Sequence, residues 1–257
     1  MCEINTSWEK TLLLGERIDD IGFGGMKLIQ KPDEFCYGVD AVILSEFASS
    51  QHKNQPEIVV DLGTGTGIIP LIMYHKICPQ KIYGIEVQYD SWERACRNAA
   101  NNRLEKSISF INDDIKNVDK TWGRELKGCV DMVISNPPYF KGGGGIINDH
   151  MPKTIARHET SAGIEDFIAC ASYLLKPRGE FFMIHRPSRL VDICYFGREN
   201  GLEPKLMRFV SPKRETAPNL VLIEMIKNGG SELKLLDPMW IYDGKGQYTQ
   251  DVLKAYK

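Results

Sequence analysis

The sequence predicts an α/β domain in which a doubly wound, mostly parallel sheet is covered by helices on both faces, with a small extension at the N-terminal end. Two observations carry that expectation. From residue 58 onward, short apolar runs alternate with segments of helical period, the order expected of strands joined by crossover helices. The glycine-rich and polar motifs also fall where those runs end, and ligands of such sheets lie beyond the carboxyl ends of the strands.

The elements follow in order. Residues 17–31 (RIDDIGFGGMKLIQK) read as two short strands around the Gly22–Gly25 turn. Val39–Ala48 has apolar residues at helical spacing after Gly38, which places Asp40 in a first helical turn. Residues 1–50 are thus expected as a hairpin-and-helix extension and 51–257 as the main domain. Within it, strands are expected at Ile58–Asp61, Lys81–Glu86, Ser107–Ile111, Val130–Ser135, Glu180–His185 and, last, Leu220–Lys227. Helices are expected at Gly67–Ile77, Ser91–Arg103, Ile164–Leu175 and Arg189–Asn200.

Composition narrows the class. The chain is 42% hydrophobic and 26% charged, as an ordinary globular protein is. Apolar runs such as Ile68–Met73 are far shorter than the roughly 20 residues of a membrane span. The first residues lack a signal peptide's basic and apolar regions, so a cytoplasmic address is expected. Seven cysteines (Cys2, Cys36, Cys78, Cys96, Cys129, Cys170, Cys194) are scattered without a CxxC pair, which argues against a disulfide framework and a zinc site. No metal is expected, and most of these thiols should be buried small hydrophobes. Net charge is −2, but residues 176–214 hold nine Lys/Arg against four Asp/Glu, a basic stretch able to hold phosphates.

Asp61-Leu62-Gly63-Thr64-Gly65-Thr66-Gly67 stands where the first main-domain strand turns into a helix. Glycines let backbone approach a ligand closely, and a helix N-terminus offers free N–H groups. The spacing is GxGxG; Ile68 occupies the position where GxGxxG needs its last glycine, so a dinucleotide fits less well. Glu86 ends the second strand, where a carboxylate can accept both hydroxyls of a ribose, whether of a nicotinamide dinucleotide or of S-adenosylmethionine. After the third strand comes Asp113-Asp114, of which Asp114 is favoured as acceptor for a purine amino group; helix capping is the plainer role for both.

Ser135-Asn136-Pro137-Pro138-Tyr139-Phe140 follows the fourth strand. An amine conjugated to a purine ring is a weak nucleophile because its lone pair is delocalised. Two acceptors, the Asn136 side-chain oxygen and the Pro137 carbonyl, would favour pyramidal nitrogen, and successive prolines hold them preorganised. Tyr139 offers its face to a base. The glycine run 142–145 and the rest of 141–160 read as a mobile substrate loop, with Lys141, Lys153, Arg157 and His158 available to phosphates; Lys213 and Arg214, after Pro212, are further phosphate candidates.

The Asn136–Tyr139 tetrapeptide and the acidic GxGxG loop resemble those of class I adenine-N6 methyltransferases. Tyr37-Gly38-Val39-Asp40-Ala41-Val42-Ile43-Leu44, Ala156-Arg157-His158-Glu159 and Ile241-Tyr242-Asp243-Gly244…Tyr248-Thr249 are similar to segments of the bacterial family that modifies adenosine 37 of a valine tRNA. Val39 departs from the Thr usual there and leaves Asp40 as the polar group facing substrate. The resemblance spans about residue 15 to the end and implies a Rossmann-like, seven-stranded sheet with S-adenosylmethionine as cofactor. It implies cofactor contacts at Asp61, Gly63, Thr64, Gly65, Gly67, Glu86, Val87, Asp114 and Asn136. Catalysis falls to Asn136, Pro137, Pro138 and Tyr139, and the substrate is RNA. Methylation of a protein glutamine amide or of an rRNA base by the same fold stays open, as a nicotinamide-dependent dehydrogenase or a non-enzymatic binding module does less comfortably. No feature specifies an oligomer, and a monomer is expected.

Overall fold

The computed structural model describes residues 7–34, 36–52, 55–139 and 162–257. Strands β1 (Arg17–Asp20) and β2 (Lys27–Gln30) form an antiparallel hairpin, followed by α1 (Val39–Gln51). The main sheet then alternates β3 (Ile58–Leu62), α2 (Ile68–Ile77), β4 (Lys81–Glu86), α3 (Tyr89–Asn101) and β5 (Ile108–Asn112). It continues with β6 (Val130–Ser135), α4 (Ile164–Leu174), β7 (Leu175–His185), α5 (Leu190–Glu199), β8 (Leu202–Ser211) and β9 (Leu220–Lys227). Two dipeptide strands, β10 (Lys234–Leu235) and β11 (Met239–Trp240), and helix α6 (Gln250–Ala255) complete the chain.

The seven longer strands lie in the order β8-β9-β7-β6-β3-β4-β5, with β10 and β11 both pairing along the outer edge of β8. Strands β3 to β7 are mutually parallel, whereas β9 is antiparallel to both β7 and β8. Consequently β8 runs the same way as β7, and its last residue, Ser211, opens at the same edge as the ends of β3, β4 and β6.

Side chains alternate faces along a strand, so each strand feeds two cores. Phe182 and Ile184 pack with α1, α2 and the hairpin, while Phe181 and Met183 pack with α4 and α5. Helix α3 bonds to the hairpin through the fully buried Asn98. Its amide oxygen accepts from Ile29 N–H at 2.7 Å, and its nitrogen donates to the Ile29 and Thr66 carbonyls. Beside it, Glu16 pairs with Arg94 at 3.0 Å and Arg97 at 2.7 Å, and Arg94 also pairs with Glu34.

The pattern-based reading missed β8. In LEPKLMRFVS, a register shift between Pro204 and Leu206 interrupts the alternation, and Pro204 speaks against a strand interior. Nor is Leu220–Lys227 the last strand, because the short β10 and β11 follow it. The cysteines also differ from expectation. The six described are free, but Cys170 alone of them is buried, and Cys78 and Cys129 are exposed.

Candidate active site

The loop after β3 is built by three left-handed glycines, Gly63, Gly65 and Gly67, at φ of 73°, 56° and 85°. A Cβ on Gly67 would come within 2.7 Å of the Phe110 ring, whereas one on Gly65 would meet nothing within 4 Å, so Gly65 marks the loop's open side. Gly63 and Thr64 donate their N–H groups to the Ile85 carbonyl, both at 2.9 Å. Glu86 closes the turn from β4: its two carboxylate oxygens accept from Gly65 N–H and Gln88 N–H, each at 2.9 Å. The carboxylate keeps accepting capacity beyond these bonds. Next to it, Val87 is 59% exposed, an apolar shelf at the strand's end.

Asp61 is 1% exposed, and neither of its oxygens nor the Thr64 hydroxyl has a hydrogen-bond partner among the described residues. Burial pushes its acid up to about 7; the nearby Thr64 hydroxyl opposes the rise and the Glu86 charge adds to it. Burial raises Glu86 as well, against the N–H groups of Gln88, Gly65 and Val87. Buried polar groups are costly without partners. An orphaned acid beside a second one calls for a cation and for hydroxyl donors, and S-adenosylmethionine carries an ammonium, a sulfonium and a ribose diol. The residues present fit that group.

Beyond β5 both aspartates make turn contacts. Asp113 is consumed by its turn, accepting from Asn117, Thr121 and Asp114 N–H. Asp114 caps the following 3-10 turn by accepting from Lys116 N–H at 2.9 Å, so the capping role is occupied even as the residue stands at the strand's end.

At the end of β6, Ser135 donates to the Leu62 carbonyl at 2.8 Å and fixes the start of the tetrapeptide beside β3. Pro137 is buried and Pro138 exposed. The Tyr139 hydroxyl donates to Asn136 Oδ1 at 2.9 Å and lies 3.4 Å from Asp40 Oδ2. Asp40 is held in turn by Ala41 N–H, at 3.0 Å from its other oxygen. Burial, then the Asp40 charge, holds the Tyr139 phenol well above its usual range, so it stays a donor.

Two residues not counted among the sequence's site candidates meet this group. His185, 3% exposed at the end of β7, stands edge-on to the Tyr139 ring at 5.2 Å, and the Arg186 guanidinium lies 5.4 Å from that ring's centre. Burial keeps His185 below its usual value and hence neutral. Their position, directly after a parallel strand, is the signal that could have found them.

Lys141, Lys153, Arg157 and His158 lie outside the described residues. Lys213 and Arg214 are exposed in the turn joining β8 to β9, and Arg214 sits 5.3 Å over the Trp240 ring. The basic stretch 176–214 does not form one face, contrary to expectation. Lys176 pairs with Asp131 near the start of β6, at the far edge of the sheet, and Arg198 pairs with Glu203. Arg186, Lys213 and Arg214 remain at the site's edge, because β7 and β8 end there.

The sequence of residues 38–189 matches the family model described as methyltransferase small domain. A tRNA1(Val) (adenine(37)-N6)-methyltransferase of Porphyromonas gingivalis is 32% identical over 225 residues, 84% of this chain and 85% of that protein. One of the same description from Photobacterium profundum is 24% identical over 82% of this chain and 85% of its own length. Among solved structures, a predicted O-methyltransferase of Agrobacterium tumefaciens superposes with a TM-score of 0.66 at 19% identity, covering 84% of this chain and 95% of that one, a likeness of fold. Sequence match, shared sheet and glycine loop agree: the chain belongs to the methyltransferase small-domain family, among the tRNA1(Val) (adenine(37)-N6)-methyltransferases.

Proposed function

We propose that the chain methylates the N6 amine of an adenosine in RNA, position 37 of a valine tRNA, using S-adenosylmethionine, and acts as a cytoplasmic monomer. The observation that carries the reading is the Asn136 side-chain oxygen, oriented by the Tyr139 hydroxyl at the end of β6, on the same sheet edge as the orphaned Asp61 and Glu86.

Asp61 and Thr64 would receive the cofactor's charged end, Glu86 its ribose, and Val87 with Asp114 its adenine. When bound, the cofactor supplies a methyl group activated by a sulfonium. The protein's part is to position the amine. An amide oxygen has two lone pairs, so Asn136 can keep the Tyr139 hydroxyl on one and accept an amine hydrogen on the other. The Pro137 carbonyl takes the second hydrogen, which turns the nitrogen lone pair out of the ring plane. Preorganised acceptors need little rearrangement in the transition state. A methylated ammonium is acidic enough to lose its proton to water, so no general base is required.

The names of the sequence relatives favour tRNA over a protein amide or rRNA. A radioactive methyl-transfer assay over total tRNA, total rRNA and a release-factor protein tests the choice. Label confined to N6-methyladenosine of tRNA is expected; label in protein or rRNA alone overturns it.

A further inference from the structure

Four aromatic rings form a column at one side of the molecule. Phe23 in the hairpin turn stacks on Tyr256, with centroids 6.0 Å apart and 18° between the planes. Tyr256 stacks on Tyr248 at 6.0 Å and 21°, and Tyr248 on Tyr242 at 5.4 Å and 17°. The column begins buried, with Phe23 1% exposed, and ends in the open, with Tyr248 and Tyr242 each 37% exposed. Tyr242 is its last ring. Among the described residues no other ring or cation contacts Tyr242.

That open end lies at the carboxyl edge of the main sheet. Tyr242 N–H donates to the Pro212 carbonyl at 2.9 Å, and Ile241 N–H to that of Ser211 at 3.0 Å. The Ser211 carbonyl ends β8 and the Pro212 carbonyl follows it, on the sheet edge that carries Asn136 and Glu86. Lys213 and Arg214 come next in the chain, in a turn stiffened by Thr216, whose hydroxyl accepts from Lys213 N–H and donates to its carbonyl. Further in, Tyr37, three residues before Asp40, lies within electrostatic reach of the column: burial, then the neighbouring Tyr248 and Tyr37, raise the Tyr256 phenol. One short stretch of chain thus joins the column to the catalytic loop.

We infer that Tyr242, at the open end of the column, is a stacking platform for an unpaired base of the RNA beside the target nucleotide, with Lys213 and Arg214 on the adjoining phosphates. The inference rests on the RNA reading above. A flat aromatic face whose backbone is bonded to the residue just before two cations suits a base and its phosphate, and single-stranded RNA is held largely by such stacking. Asp243, the acid nearest in sequence, is spent on its own turn, accepting from Lys245 and Gln247 N–H groups.

The test uses the full chain and an anticodon stem-loop of the valine tRNA carrying 2-aminopurine, in turn, at each loop position flanking the target. Binding to the parent protein should quench the probe at one flanking position. Tyr242→Leu should abolish that quenching and weaken RNA binding roughly tenfold or more, with S-adenosylhomocysteine affinity unchanged; Tyr242→Trp should keep both. Absence of quenching at every position with the parent overturns the platform, and so does parental RNA affinity in Tyr242→Leu. Should the parent methylate no tRNA, the functional reading falls and the platform with it, whereas a parent that methylates tRNA without quenching loses only the platform.

Discussion

The Tyr139 hydroxyl and the Asn136 side-chain oxygen are joined by a 2.9 Å hydrogen bond, so the aromatic ring of the tetrapeptide is also the device that aims its acceptor. A reading from sequence assigns Tyr139 to base stacking alone, in which case Tyr139→Phe would be silent. The hydrogen bond changes that expectation. Tyr139→Phe should lower the single-turnover methylation rate about five- to tenfold, the worth of one polar contact, with RNA affinity retained. Tyr139→Ala should lose rate and affinity together.

Asn136→Ala removes the acceptor itself while leaving both prolines. Loss of one preorganised contact of this kind costs about 10²–10³ in turnover. Cofactor affinity, measured by calorimetry, should hardly change. Near-parental methylation by this variant would end the acceptor mechanism.

Asp61 should make cofactor binding depend on pH. With its acid pushed up to about 7, the ligand-free protein takes up a proton there as pH falls through neutrality. A ligand ammonium prefers the carboxylate, so affinity for S-adenosylhomocysteine should fall below pH 7, by up to roughly tenfold per unit. Stability of the ligand-free protein goes the other way. The folded acid lies above its unfolded value of about 4, so the cost of the buried charge is absent below pH 4, grows between pH 4 and 7 and is complete above 7. Asp61→Asn should flatten the binding profile, weaken binding at pH 8 and stabilise the ligand-free protein there by about 1–3 kcal/mol. Calorimetry and thermal melting across pH 5–8 check both signs.

Glu16 carries the opposite sign. Burial alone would raise its acid, but hydrogen bonds from Arg97, from Leu13 N–H and from Arg94 outweigh it and hold it at about 2. Its contribution is therefore full above about pH 4.5 and is lost as pH falls towards 2. Glu16→Gln should cost roughly 2–4 kcal/mol at pH 7, since it leaves two arginines facing a lost partner. The difference from the parent should shrink near pH 2.5. Urea unfolding at the two pH values decides it.

Charge reversal at Lys213 and Arg214 should weaken tRNA binding at low salt and reduce the slope of log affinity against log salt by about 2. Cofactor affinity should stay as it was. A slope equal to the parent's would remove these two residues from the interface.

Much of this was legible beforehand because the sheet obeys local rules. Lys81–Glu86 and Val130–Ser135 are strands with the bounds their apolar runs suggest, and Asp61, Glu86 and Asn136 stand out as candidates because each lies at a strand end. Other relationships depend on chain folding back over long distances. Asp40 and Tyr139 are 99 residues apart and meet only because the N-terminus of α1 is brought to the end of β6. His185 reads in the sequence as one more apolar-strand terminus, and its contact with Tyr139 follows from β7 lying beside β6. Residues 176–214 looked like one basic surface because charge was summed along the chain, whereas that segment crosses the sheet twice. The column from Phe23 to Tyr242 has no sequence period at all, being assembled from three separate segments.

Asn98 gives the molecule a mechanical linkage between two places that look unrelated. One amide group clips the hairpin at Ile29 and the glycine loop at Thr66. Stiffening the loop by ligand must then be felt as reduced fraying of β2, some distance from any ligand atom. Amide hydrogen exchange at Ile29 would become a remote gauge of cofactor occupancy, and the hairpin, which contributes no atom to the chemistry, would set how readily the loop opens to exchange spent cofactor for fresh.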